Sequence, residues 1–186
     1  MRKKVILVSG SPRRKELLKK HGYLKKQILP KYDDTGHPVN TMDDVEDIAI
    51  KKLASVEDDF RKGILLSCDT VVYFKDHFIG KPTDREDGFE MLRKLSGEKH
   101  TVVSCLVMKN METGRMLTER VKTDVHFDEL TDEEIHEYLD NAVYGDKAGG
   151  YAIQEEAALF ITKINGDFYN VVGFPLNTFY RMIKEI

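Results

Sequence analysis

The chain has 186 residues, 41% hydrophobic and 33% charged, with 13 Gly and 5 Pro. Those proportions supply a buried core and exclude a collagen-like, disordered or membrane-spanning chain, and the length points to a single domain over 1–186 with room for two lobes. The net charge is only −3, yet residues 1–26 hold ten Lys or Arg against Glu16 alone, a local +9 that leaves −12 on the remainder.

A basic end of this kind suits an anionic partner, either a small phosphate compound or nucleic acid; the alternative is a solvated helix face. Cys68 and Cys105 are the only cysteines and lack CxxC spacing. That pattern indicates neither a disulfide framework nor a zinc cluster, and it fits a reducing compartment. The apolar run after Arg2-Lys3-Lys4 stops at Val8, too short for an export signal or a membrane span, so a cytoplasmic protein is expected.

Val5 to Val8 reads as a buried strand ended by Ser9-Gly10-Ser11-Pro12. A helix follows, with Ser11 as N-cap, Pro12 in the first turn, and Leu17, Leu18 and His21 on one face. Thr41-x-x-Asp44 predicts a capping box, and Val45, Ile48, Ala49, Leu53, Val56 and Phe60 continue at helical spacing up to Gly63. Residues 64–74 are nearly continuously apolar and β-branched, as in a central strand buried on both faces, interrupted by Asp69 and Thr70. A tight turn at Lys75-Asp76-His77 leads into Phe78-Ile79-Gly80-Lys81-Pro82, after which Thr83-x-x-Glu86 predicts a helix ending before Gly97.

His100 to Met108 and Met116 to Phe127 read as a hairpin around Thr113-Gly114, and Thr131-x-x-Glu134 caps a further helix. The pattern is irregular from Tyr144 to Gln154, returns to strand over Ala158 to Ile164, turns at Asn165-Gly166, and ends in a helix from Pro175. Strands and helices interleave, so the class is α/β, with an antiparallel hairpin in a second lobe.

Four features carry chemistry. Ser9-Gly-Ser-Pro-Arg-Arg14 opens a helix N-terminus whose free N–H groups and dipole suit a phosphate, with Arg13 and Arg14 placed to pair with its oxygens; the alternative is an ordinary capped helix. The GxxxxGK[ST] loop is absent. Asp69 lies inside an apolar strand, where a carboxylate needs a partner, a metal or a proton, and where it could hold Mg²⁺ or orient water; the alternative is a strand that ends there. Cys68 beside it reads as core. Gly80-Lys81-Pro82 and Asp146 to Gln154 are two constrained loops, the first aiming an ammonium and the second allowing close backbone approach to a ligand. Together they form a kit for a metal-bound polyphosphate.

Ser9-Gly-Ser-Pro-Arg-Arg-Lys-Glu-Leu-Leu18, Ser67-Cys-Asp-Thr-Val-Val72, Gly80-Lys-Pro82, Met91-Leu-Arg-Lys-Leu-Ser-Gly97, Asp146-Lys-Ala-Gly-Gly-Tyr-Ala-Ile-Gln154 and Asn170-Val-Val-Gly173 occur in this order. In that order and spacing the sequence resembles the Maf family of nucleoside triphosphate pyrophosphatases over essentially its whole length. The resemblance implies an elongated mixed sheet with flanking helices and two lobes around a central cleft, related to the inosine triphosphate pyrophosphatases. It also implies a divalent metal (Mg or Mn), a nucleoside triphosphate substrate cut between the α and β phosphates, and a homodimer.

By the same resemblance Asp69 is the general base. Ser9, Ser11, Arg13, Arg14, Lys52 and Lys81 meet phosphate, and Asp33 and Asp34, where the family carries glutamates, join Asp69 at the metal. Arg13, Thr70 and Gln154 match the subgroup acting on dTTP and UTP rather than the one acting on 7-methyl-GTP, and a Gln offers donor and acceptors to a uracil or thymine edge. Glu155 stands where the family prefers Gly. The expected function is therefore pyrophosphate release from dTTP and UTP. The alternatives are a 7-methyl-GTP or inosine triphosphate pyrophosphatase, or a septum-related regulatory binding protein; nucleic acid is not the expected partner because the basic segment lacks a binding motif and interleaved aromatics.

Overall fold

A computed structural model describes residues 2–34 and 37–186. Val5–Val8 forms β1, buried along its whole length, and Pro12–Lys20 forms α1. The Ser11 side chain caps α1 by accepting from the Arg14 N–H, Pro12 occupies the first turn, and Leu17 and Leu18 are buried. Leu24–Ile28 forms β2, which pairs parallel to β1. The residue pattern did not reveal β2; its exposed Lys25 and Lys26 suit its place at the edge of the sheet.

Met42–Ala54 is α2, with the capping box between Thr41 and Asp44 present in full. Its spacing predicted a helix reaching Phe60; the chain instead leaves the helix at Ser55 and makes a short 3-10 turn over Glu57–Asp59. Ile64–Phe74 is β3, eleven residues without a break at Asp69, parallel to β1. Lys75 and Asp76 both take positive φ, 45° and 66°, and turn the chain into the antiparallel β4, His77–Ile79.

Arg85–Leu95 is α3. Its N-cap is Asp84, which accepts from the Asp87 N–H, rather than Thr83. Thr83 instead gives both its N–H and its hydroxyl to the Asp87 carboxylate, so the helix starts one residue later than predicted. Lys99–Asn110 (β5) and Met116–Phe127 (β6) are neighbours in the sheet, and their turn is closed by the Asn110 N–H donating to the Arg115 carbonyl.

Asp132–Asn141 (α4) carries the Thr131 and Glu134 capping box. The strand predicted from Ala158 begins only at Ile161: Glu156–Phe160 is a 3-10 turn burying Ala157 and Phe160, and Ile161–Asn165 (β7) pairs antiparallel with β6. Phe168–Val171 (α5) and Leu176–Glu185 (α6) complete the chain. Among the described residues the sheet has seven strands in the order β2-β1-β3-β5-β6-β7, with β4 beside β3. It mixes parallel and antiparallel pairs and is accompanied by helices, as the expected α/β class requires.

The chain divides into two compact units, Met1–Asp69 with Ser104–Val121 and Gly173–Ile186, and Thr70–Val103 with Lys122–Val172. In the first, β1, the inner faces of α1 and α2, and Phe174 and Phe179 are buried. In the second, Leu92 and Leu95 of α3 and Ile135, Tyr138 and Leu139 of α4 join Val102, Val125, Phe127 and Phe160 in one apolar cluster. Among the described residues no helix is long and apolar enough to cross a membrane.

Candidate active site

In the first unit, Asp69 and Lys52 meet. Lys52 sits in the last turn of α2, where the helix dipole favours a cation, and its Nζ lies 2.6 Å from Asp69 Oδ1 and 2.5 Å from Asp34 Oδ2. Burial works against the Lys52 charge. The Asp69 charge beside it and the hydrogen bonds to Asp34 and Asp69 outweigh burial and hold the ammonium above the ordinary lysine value. One further bond fixes α2 against β3: the Ser67 hydroxyl, fully buried, donates to the Ala49 carbonyl at 2.6 Å. Asp33, one residue before Asp34, is exposed.

The loop after β1 is braced from several sides. Ser9 is buried, and its Oγ accepts from the Ser11 N–H at 3.2 Å and from Arg14 Nη1 at 3.2 Å. Gln27 of β2 donates through its side-chain nitrogen to the Ser9 carbonyl at 2.7 Å. Arg13 lies half-buried in the first turn of α1. Arg14, expected at phosphate, also donates through Nε to the Gly173 carbonyl at 2.9 Å and through Nη1 to the Cys68 carbonyl. Cys68 and Cys105 are both buried thiols, and burial pushes the Cys105 thiol up, away from the reactive thiolate.

In the second unit, Thr70 follows Asp69 along β3 and is half-buried, while Lys81 and Gln154 are exposed. The two loops that carry Lys81 and Gln154 are joined: the Gly149 N–H donates to the Gly80 carbonyl at 2.8 Å. Gly149 has φ 73°, and a Cβ there would lie 2.9 Å from Val72 Cγ2, so the approach needs glycine. Lys147, 4% exposed, donates to the Val143 carbonyl and to Asp146 Oδ1 and lies 3.7 Å from Glu155 Oε2. The acid beside Gln154 is thus opposed by a buried ammonium. Sequence reasoning assigned Ser67, Gln27 and Lys147 no individual role; Ser67 and Lys147 lie inside motifs the sequence singled out, whereas Gln27 carried no signal.

Asp34 and Asp69 converge on one cation, the Lys52 ammonium. Among the described residues no group of three His, Cys, Asp or Glu side chains is gathered to hold a metal by itself. Asp34 and Asp69 are the carboxylates here that could serve a hard divalent ion, which takes one or two carboxylates and completes its shell with substrate phosphates and water.

Comparison with known proteins agrees with this arrangement of motifs. The family model described as Maf-like protein matches residues 4–186. A Latilactobacillus sakei protein named dTTP/UTP pyrophosphatase is 42% identical over 181 residues, covering 97% of this chain and 99% of its own. Proteins of the same name from Clostridium botulinum and Fusobacterium nucleatum are 39% and 37% identical, covering 99% and 98% of this chain and 97% and 95% of their own lengths. The chain belongs to the Maf family.

Proposed function

We propose that the protein is a nucleoside triphosphate pyrophosphatase that hydrolyses dTTP and UTP to the monophosphate and pyrophosphate. The observation that carries this reading is the Asp69 carboxylate, set within the eleven-residue strand β3 and held at Oδ1 by the Lys52 ammonium. The names of the relatives support the substrate.

With Oδ1 engaged by Lys52, Oδ2 of Asp69 is assigned to water. It accepts the proton as the water oxygen bonds to the α phosphorus, and the bond from that phosphorus to the α,β-bridging oxygen breaks, releasing pyrophosphate. Arg13, Lys52 and Lys81 neutralise the phosphates, with Ser9, Ser11 and the N-terminal dipole of α1 adding hydrogen bonds and positive potential. Arg13, Thr70 and Gln154 select the base.

Asp34 and Asp69, with Asp33 adjacent, would hold Mg²⁺ or Mn²⁺. Such an ion, when bound, offsets phosphate charge and polarises the phosphoryl oxygens. Pyrophosphate release from a panel containing dTTP, UTP, CTP, 7-methyl-GTP and inosine triphosphate, with Mg²⁺ or with chelator, tests substrate and metal together. Turnover confined to 7-methyl-GTP or inosine triphosphate would move the substrate, and Asp69→Asn as active as the parent would remove the mechanism. The family resemblance also supports a homodimer, for which light scattering should give twice the chain mass.

A further inference from the structure

The Ser9 to Arg14 segment was expected to present both arginines to phosphate. The structure commits the second to the protein. Arg14 Nε donates to the Gly173 carbonyl at 2.9 Å, and Nη1 donates to Ser9 Oγ at 3.2 Å and to the Cys68 carbonyl. These acceptors lie 159, 5 and 54 residues away in sequence. They belong to three separate pieces of the first unit: the loop after β1, the middle of β3, and the turn before α6.

The Cys68 carbonyl is the oxygen of the peptide that links Cys68 to Asp69, so its direction fixes the plane from which the Asp69 side chain departs. Gly173, at φ 99°, offers its carbonyl from a backbone conformation that a side chain would resist. A planar fork with several fixed donors can hold such divergent acceptors at once; an ammonium on a flexible stem cannot reproduce the set.

We infer that Arg14 is a positioning residue: it braces the Cys68–Asp69 peptide against the Ser9 loop and the Gly173 turn, and so holds the Asp69 carboxylate in place against Lys52. The bracing is a property of the fold. Its consequence for turnover rests on the role proposed above for Asp69.

The test uses the full chain as wild type, Arg14→Lys and Arg14→Gln, with two readouts. Amide hydrogen exchange should rise together around Ser9–Ser11, Cys68–Asp69 and Gly173–Phe174 in both variants, with the cluster around Phe127 and Tyr138 unchanged. Turnover of UTP should fall about 100-fold in both, the scale of a small misplacement of a reacting group, with KM within about threefold of the parent.

A phosphate ligand gives the opposite split, KM raised about tenfold or more in Arg14→Gln and largely restored in Arg14→Lys, and that result overturns the inference. Loss of thermal stability with kcat per folded molecule intact overturns it as well. If the wild type itself fails to release pyrophosphate, the proposed function falls, while the exchange pattern still decides the brace. Should Arg14→Gln not fold, Arg14→Lys, which keeps the charge, carries both readouts.

Discussion

Lys52→Met removes the cation that two carboxylates share. The Lys52 and Asp69 side chains are each 13% exposed and the Asp34 side chain 41%. Removing one partner of a fully buried pair costs about 3–5 kcal/mol, whereas an exposed pair is worth at most about 1 kcal/mol, so the Lys52 and Asp69 contact belongs near the first class and Asp34 near the second. The expected loss in Lys52→Met is about 3 kcal/mol, and in Asp69→Asn, which keeps a polar group of the same shape, about 2 kcal/mol. Because both substitutions remove one interaction, the double variant should cost about 3 kcal/mol rather than the sum.

Urea unfolding at pH 7 reads this as midpoint shifts at constant slope. A double variant equal to the sum of the single losses, within about 0.5 kcal/mol, refutes the coupling. The pH dependence has a definite sign. Lys52 has a raised folded pKa, so its contribution is present in full below the unfolded value of 10.5 and is lost as pH rises through the higher folded value. The gap between parent and Lys52→Met should therefore stay level from pH 7 to pH 9. Turnover separates stability from chemistry: each single variant should lose about 10²–10³ in kcat, and the double should recover none of it.

Three further outcomes follow from the geometry. His100, buried with Nε2 2.7 Å from the Tyr151 hydroxyl, is lowered to about 4 by burial and, to a smaller extent, by His126, against a pull upward from Asp124. Between pH 6.5 and 4 the unfolded chain binds a proton that the folded chain refuses, so the stability advantage of the parent over His100→Gln should shrink by about 3 kcal/mol on acidification; an advantage constant over that range refutes the neutral burial. Gly149→Ala should cost about 2–3 kcal/mol, because positive φ is joined by the 2.9 Å approach to Val72, whereas Gly114→Ala, also at φ 73° but with nothing within 4 Å, should cost about 1 kcal/mol. Equal costs would show that the Val72 contact yields. Gln154→Glu should raise KM for UTP with little change in melting temperature, since Gln154 is exposed, and a rise in KM accompanied by a clear fall in melting temperature would place the residue in the scaffold instead.

Elements whose signals are local were legible. Ser11 with Pro12, Thr41 with Asp44 and Thr131 with Glu134 start helices where their side chains meet backbone N–H groups a few residues on, and all three caps are present. Leu24–Ile28 was not legible from its pattern: a strand with two exposed lysines carries little apolar signal, and it exists because β1 offers it a parallel partner. The apolar run at Ala157–Phe160 misled for a related reason. It buries Ala157 and Phe160 but leaves Leu159 84% exposed, a 3-10 pattern that resembles a strand only in composition. Asp69 declared itself through its apolar strand. Its partner Lys52 came only from the family resemblance, and the Arg14 brace, spanning 159 residues to Gly173, left no trace in spacing.

The excess of positive charge at the start of the chain now has a physical division. Arg2 donates to the His21 carbonyl and lies over the Tyr23 ring, Lys3 donates to the Ile186 carbonyl, and Lys26 lies over Phe60. Arg14 is committed to Gly173, Ser9 and Cys68. Much of the +9 therefore does structural work: it fastens the first strand and helix to the end of the chain and to β3. Of the cations proposed to meet phosphate, only Arg13 comes from this segment, and Lys52 and Lys81 come from regions whose net charge is negative. A charge total over a stretch of sequence measures neither use. What a given cation meets is decided by the fold and not by the local charge total.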